Sequence, residues 1–214
     1  MRVMITGAGR GIGAELRARL LARGDDVIGT ARSAPAGPGW RQADMLDHDA
    51  VAALGHGIDR LDLLVCNAGV FLDRDRTVAD PVDPRAWAES FAINVTAVAT
   101  AAHALLPALT AARGKIAIIS SQLASHTNAA GGSYAYRASK AAALSLGRNL
   151  AADLKPAGIA VGIYHPGWVR TDMGGGAAAI SPADSASGLM ARFDALSLHG
   201  SGCFETWDGR AHPF

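Results

Sequence analysis

Residues 2–13 read RVMITGAGRGIG, a short apolar run that passes directly into a glycine turn. A strand, a glycine turn and a helix in immediate succession form the opening unit of an open α/β sheet, where the turn approaches the phosphates of a dinucleotide. Gly7, Gly11 and Gly13 give the spacing GxxxGxG. Gly7 permits the tight turn, while Gly11 and Gly13 let backbone and helix come close to a pyrophosphate. The helix N-terminus adds N–H donors and the positive end of its dipole. An ordinary turn with surplus glycine is the competing reading, and the position directly after the first strand argues against it.

Outward from this unit, short apolar runs alternate with helical patterns. Strands are predicted at 2–6, 26–30, 61–66, 115–119 and 159–164, with a last edge strand near 202–206. Most are continuous Val/Ile/Leu runs, as in parallel strands covered on both faces. Helices are predicted at 12–23, 47–56, 84–111, 134–154 and about 182–196. Gly24 and Gly158 stand where left-handed caps are needed, and Asp83-Pro84 reads as a helix start. The alternation predicts a right-handed doubly wound α/β sheet in a single domain over 1–214. Loops at 32–40, 120–132 and 165–181 follow strands and should surround the ligand crevice.

The bulk composition excludes several classes. The chain has 214 residues, is half hydrophobic and carries a formal net charge of +1, so no basic field points to nucleic acid. Cys66 and Cys203 are far apart, which fits a reducing cytoplasm, and the seven histidines lack metal-ligand spacing. The strand begins too early for a signal peptide. Ser90–Ala112 has no Asp, Glu, Lys or Arg, but Asn94, Thr96, Thr100, His103 and Pro107 interrupt it. A buried helix on a sheet is predicted there, not a membrane span.

The end of the second strand bears on the choice of cofactor. An NAD site places Asp or Glu there; this chain has Thr30, Ala31 and Arg32, with Arg10 in the glycine turn. Two guanidiniums suit a 2′-phosphate, so NADP(H) is expected in preference to NAD(H).

The stretch 133–143, SYAYRASKAAA, holds two of the three tyrosines and one of only three lysines. Tyr136 and Lys140 are four apart and share a helix face, whereas Tyr134 points elsewhere. A nearby ammonium favours the phenolate, so Lys140 is expected to lower the Tyr136 pKa toward general acid/base work. Upstream, Ser120 and Ser121 directly follow the strand at 115–119, where a hydroxyl can hold a carbonyl oxygen.

With TGAGRGIG (6–13), CNAG (66–69), Asn94 in INVTA, ISS (119–121), YRASK (136–140) and HPGWVRTDM (165–173) in this order, the chain resembles the short-chain dehydrogenase/reductase family. The likeness is greatest to its compact C-factor-like and small carbonyl reductase subgroup. It implies a Rossmann three-layer α/β/α fold with a mainly parallel seven-stranded sheet. By resemblance, Tyr136 is the general acid/base, Lys140 binds the nicotinamide ribose, Ser121 polarises the carbonyl and Asn94 holds a relay water. Gly7, Gly9, Arg10, Gly11, Ile12, Gly13, Arg32, Asp44, Met45, Asn67, Ala68, Gly69, Pro166, Gly167, Val169 and Thr171 would border the cofactor, together with Tyr136 and Lys140. The interval from Ser121 to Tyr136 is longer than the family's usual one, which keeps Ser120 as an alternative to Ser121.

The activity implied is hydride transfer between NADP(H) and a small-molecule carbonyl or alcohol, in a homodimer or homotetramer, with a lid at about 174–195. The alternatives are a non-catalytic dinucleotide-sensing regulator or a C-factor-like signalling protein. A sugar-nucleotide epimerase or dehydratase would need a longer substrate domain. Cys66 reads as a small buried residue, His165 as a turn-stabilising one and Trp168 as a candidate substrate wall.

Overall fold

The computed structural model describes residues 1–35 and 37–214. Seven strands form one sheet in the order β3-β2-β1-β4-β5-β6-β7. They are β1 (Arg2–Ile5), β2 (Asp26–Ala31), β3 (Trp40–Gln42), β4 (Leu63–Cys66), β5 (Lys115–Ile119), β6 (Ala160–His165) and β7 (Phe204–Thr206). Every pairing is parallel. The sheet is therefore wholly parallel, where the expectation was mainly parallel.

Successive side chains of a strand point to opposite faces, and β1 shows it. Val3 and Ile5 join Leu63, Val65, Ala117, Ile119 and Tyr164 under α1 (Gly11–Ala22) and α7 (Pro182–Ala195), which contribute Leu16, Leu20, Leu189 and Phe193. Met4 faces the other way, with Leu64, Ile116, Ile118 and Ile163. That side is covered by α2 (His48–Ala52), α4 (Ala97–Ala104), α5 (Leu106–Ala112) and α6 (Tyr134–Leu154). Both faces are dry, which explains the unbroken apolar runs of the strands.

Two elements depart from the sequence reading. β3 lies where a loop was expected to run to Trp40; of that loop, Ala36 lies outside the described residues. The predicted helix 84–111 is divided into α3 (Pro84–Phe91), a wider π turn (Ala92–Thr96), α4 and α5. Among the described residues, no single helix is long and apolar enough to cross a membrane. The pieces Pro84–Ala104 and Leu106–Ala112 reach that length only as a pair bent by 58°.

Chain order reverses between β1 and β4, because β1 leads outward to β2 and β4 begins the other half of the sheet. Such a reversal opens a crevice beyond the carboxyl ends of the strands. The glycine turn, the CNAG turn and the segments after β5 and β6 all converge there.

Candidate active site

The floor of the crevice is a set of backbone contacts that tolerate no added side chain. Thr6 Oγ1 accepts from the N–H groups of Asn67 (3.0 Å) and Ala68 (3.1 Å), joining the two turns. Asn67 Nδ2 donates to the carbonyls of Thr6 (3.0 Å) and Gly7 (3.1 Å). A Cβ on Gly13 would stand 2.3 Å from the Gly7 carbonyl oxygen and 2.5 Å from Asn67 Nδ2. Gly7 has a φ of +67° and packs on Ala68. Gly11 lies against the Thr171 methyl, which brings the segment after β6 to the glycine turn.

Helix α1 starts with no capping side chain and no acidic residue in its first turn. By contrast, Asp47, Asp83 and Ser181 cap α2, α3 and α7. An uncapped N-terminus on a glycine turn leaves donors and positive dipole for an anion, so the residues present fit a dinucleotide pyrophosphate. Gly9 packs against Ala31, so the main chains at Arg10 and Arg32 come to one corner. Arg32 is exposed, and the Arg10 guanidinium lies 2.9 Å from Asp172 in a solvent-exposed ion pair. Asp44 Oδ1 accepts from the Leu46 N–H (3.0 Å), beside buried Met45.

Tyr136 lies in the first turn of α6, buried, with the Ser121 hydroxyl close enough to the phenol to draw its pKa down. Ser120 is committed elsewhere: its Oγ donates to the Lys140 carbonyl (3.0 Å). Geometry therefore separates the two serines, and Ser121 faces the phenol. Lys140 Nζ donates to the Ile119 carbonyl (2.9 Å) and sits 5.8 Å from the Tyr136 ring centroid. Burial takes this ammonium down to about 8. A Cβ on Gly69 would stand 3.0 Å from Asn94 Oδ1 and 3.2 Å from Lys140 Nζ, so Gly69 adjoins both groups.

The expected acidification of Tyr136 by Lys140 is not what the structure shows. Burial holds the phenol above its ordinary value, against a downward pull from the Ser121 hydroxyl and the Arg74 charge. The physical reason is that burial outweighs both pulls, while the Lys140 ammonium is turned to the Ile119 carbonyl and is itself disfavoured by burial. Asn94 sits in the π turn, and such widened turns often occur at functional sites. Its Nδ2 donates to the Val70 carbonyl (3.1 Å) and Ser139 Oγ (2.9 Å), and its Oδ1 accepts from the Val70 N–H (2.9 Å). Both of its donors are thus spent on protein partners.

After β6, Pro166 accepts from Ser185 Oγ (2.7 Å) and Gly167 turns with a φ of +87°. Val169 is buried and bridges to Ile180, while Thr171 Oγ1 accepts from the Gly174 N–H (3.0 Å). Trp168 is half exposed and donates to the Gly174 carbonyl (2.8 Å). His165 is buried beneath this turn, its pKa lowered to about 4 by burial, then by His212. Burial likewise raises the Cys66 thiol to about 12, which agrees with an inert core residue. Among the described residues no group of three or more His, Cys, Asp or Glu could hold a metal ion.

Sequence reading missed the segment after CNAG. Phe71 stacks on Tyr136 with centroids 4.0 Å apart, and Arg74 lies 4.5 Å from the Phe71 centroid. Asp73 accepts from the N–H groups of Ala135 (2.6 Å) and Tyr136 (3.1 Å). FLDR shows no periodicity or spacing that would have found it.

The chain matches the family model described as short chain dehydrogenase over residues 1–179. It is 36% identical to the C-signal protein of Myxococcus xanthus over 156 residues, spanning 72% of this chain and 93% of that one. The carbonyl reductase Sniffer of D. melanogaster superposes with a TM-score of 0.91 at 27% identity, covering 100% of this chain and 99% of its own. The NADPH-bound carbonyl reductase from chicken fatty liver gives a TM-score of 0.89 at 27% identity, covering 100% and 98%.

Proposed function

The chain belongs to the short-chain dehydrogenase family, and from that premise we propose that it is an NADP(H)-dependent oxidoreductase for a small-molecule carbonyl or alcohol. One observation carries the reading: Tyr136 is buried beside Ser121 and Lys140 in the same crevice as an uncapped, glycine-lined helix start. When bound, the nicotinamide supplies the hydride in reduction and takes it in oxidation.

The protein's own groups do the rest. The Ser121 hydroxyl donates to the substrate oxygen and fixes it beside the phenol. Tyr136 gives its proton to that oxygen during reduction and takes it back during oxidation. A phenol held above its ordinary pKa is protonated at neutral pH, the form reduction needs. Lys140, with N–H groups beyond the one on Ile119, would bind the nicotinamide ribose. Asn94, whose donors are committed, would take a relay water only through an oxygen acceptor. Val169 and Thr171 would orient the carboxamide, and Asp44 and Met45 the adenine.

NADP(H) in preference to NAD(H) is supported by Arg10 and Arg32 at one corner, by the lack of a carboxylate at the end of β2, and by the NADPH in the chicken enzyme. Of the segment 174–195, Pro182–Ala195 is α7 and packs on the sheet through Leu189 and Phe193, so 174–181 would supply the movable part of the lid. The test is NADPH oxidation with a panel of ketones, aldehydes and quinones. Turnover is expected, and Tyr136→Phe should lower it by about a hundredfold or more with cofactor binding retained. Turnover kept in that variant defeats the proposal.

The likeness to the C-signal protein favours a second reading, a dinucleotide-sensing or signalling protein on the same fold. Under it, Tyr136→Phe would leave biological activity unchanged.

A further inference from the structure

Helix α6 lacks a local cap. Ser133, the residue before it, has a φ of +49° and its side chain caps nothing. The first amides of a helix need acceptors, and an end without them frays. Here Tyr136 is the third helical residue, so fraying would displace the reacting oxygen itself. The acceptors come from far away in the chain. Both oxygens of the half-buried Asp73 carboxylate are used, one on the Ala135 N–H and one on the Tyr136 N–H. Such bonds to a charged acceptor are among the stronger ones, and a carboxylate at a helix N-terminus also suits the dipole.

The neighbours of Asp73 support the same end of the helix. The Ser133 N–H donates to the Arg76 carbonyl (2.8 Å), tying the entry of α6 to this segment. Phe71 lies nearly parallel to the Tyr136 ring, at 13°. Arg74 packs on Phe71 and donates to the Met173 carbonyl, linking the segment to the start of the lid.

We infer that Asp73 is a positioning residue for Tyr136, holding the first turn of α6 so that the phenol meets Ser121, with Phe71 fixing the plane of the ring. The inference rests on the oxidoreductase reading above. Asp73 touches neither substrate nor cofactor, so its loss should lower kcat and leave the KM for NADPH almost unchanged.

The experiment compares Asp73→Ala and Asp73→Asn with the wild-type chain in steady-state kinetics, in thermal melts and in amide exchange over 134–140. Asp73→Ala is expected to lower kcat by about tenfold to a hundredfold, since misplacement by about 1 Å costs that much. Asp73→Asn retains an acceptor oxygen and should recover a large part of kcat. Amide exchange at Ala135 and Tyr136 should quicken in Asp73→Ala. Two results overturn the inference: a kcat unchanged in Asp73→Ala, or equal losses in both variants that track a lowered melting temperature. A wild-type chain that turns over no carbonyl would defeat the oxidoreductase reading instead. Amide exchange would then still decide whether Asp73 holds Tyr136, with unchanged exchange counting against it.

Discussion

Lys140 is a buried ammonium bonded to the Ile119 carbonyl, and burial lowers its pKa to about 8. In the unfolded chain it would titrate near the ordinary lysine value of about 10.4. Between those limits the unfolded chain binds more protons than the folded one, so stability rises with pH across that window. The penalty is present in full below the folded pKa and is relieved as pH climbs toward the unfolded value. Thermal melts of the nucleotide-free protein at several pH values should show this rise, and Lys140→Met should flatten it; a constant difference between the two proteins would contradict the assignment. The phenol makes a second prediction. The charged or polar groups that face it are Arg74, Ser121 and Lys140, and of these Arg74 and Ser121 pull its pKa down against burial. Alcohol oxidation needs the phenolate, so its rate should increase with pH, and Arg74→Met should move that increase to higher pH with Arg74→Lys restoring it. A pH profile unmoved by Arg74→Met would remove Arg74 from this role. Tyr136 and Lys140 were legible because a phenol and an ammonium four residues apart stand out in the sequence, whereas the choice between Ser120 and Ser121 stayed open there and turns on Ser120 bonding to the Lys140 carbonyl. Asp73 was not legible, since its contacts join positions separated by 62 and 63 residues.

Some helix starts here are closed by a side chain, while that of α1, on the glycine turn, is left open for an anion. Asp83 closes α3 by accepting from the Arg85 N–H (2.9 Å). Asp83→Ala should cost about 1 kcal/mol and lower Tm by a few degrees without touching kcat, as a melt and an assay would show. Gly13 belongs to the open start. Its substitution by Val would drive a side chain into the Gly7 carbonyl and Asn67, which also bridges the two turns. Gly13→Val should weaken NADPH binding by at least about tenfold in a fluorescence titration, and affinity kept at the wild-type level would disprove the cradle. Elements with long apolar runs were readable from sequence for a simple reason: both faces of the sheet are buried, so burial leaves a continuous pattern. β3 has only Trp40, Arg41 and Gln42, none of them buried, and is held by its backbone pairing to β2 and by Arg17 over the Trp40 ring. Such an edge strand leaves no periodic trace. The bend between α4 and α5 falls just ahead of Pro107, which the sequence shows, whereas the π turn at Ala92–Thr96 leaves no such mark.

At the scale of the molecule, the question is what the outer faces of α4 and α6 are for. Thr96 at the end of the π turn, His103 on α4, and Ser145, Arg148 and Asn149 on α6 are exposed, amid small side chains such as Ala99, Ala141 and Ala142. Small residues let helices approach closely, and a two-fold contact would place each helix against its own copy. We propose that these faces associate into a homodimer, or a homotetramer by a second contact. Ser145 lies nine residues beyond Tyr136 on α6, about 13 Å along the axis. A charge there can disturb the contact without entering the crevice. Light scattering of the wild-type chain at micromolar concentration should give the mass of two or four chains. Ser145→Glu would bring like charges together across a two-fold axis, a juxtaposition that costs several kcal/mol when buried. The variant is expected to shift toward a single chain while keeping its melting transition. A wild-type mass of one chain, or a variant mass that does not change, would mean that these helices meet solvent and not a second copy.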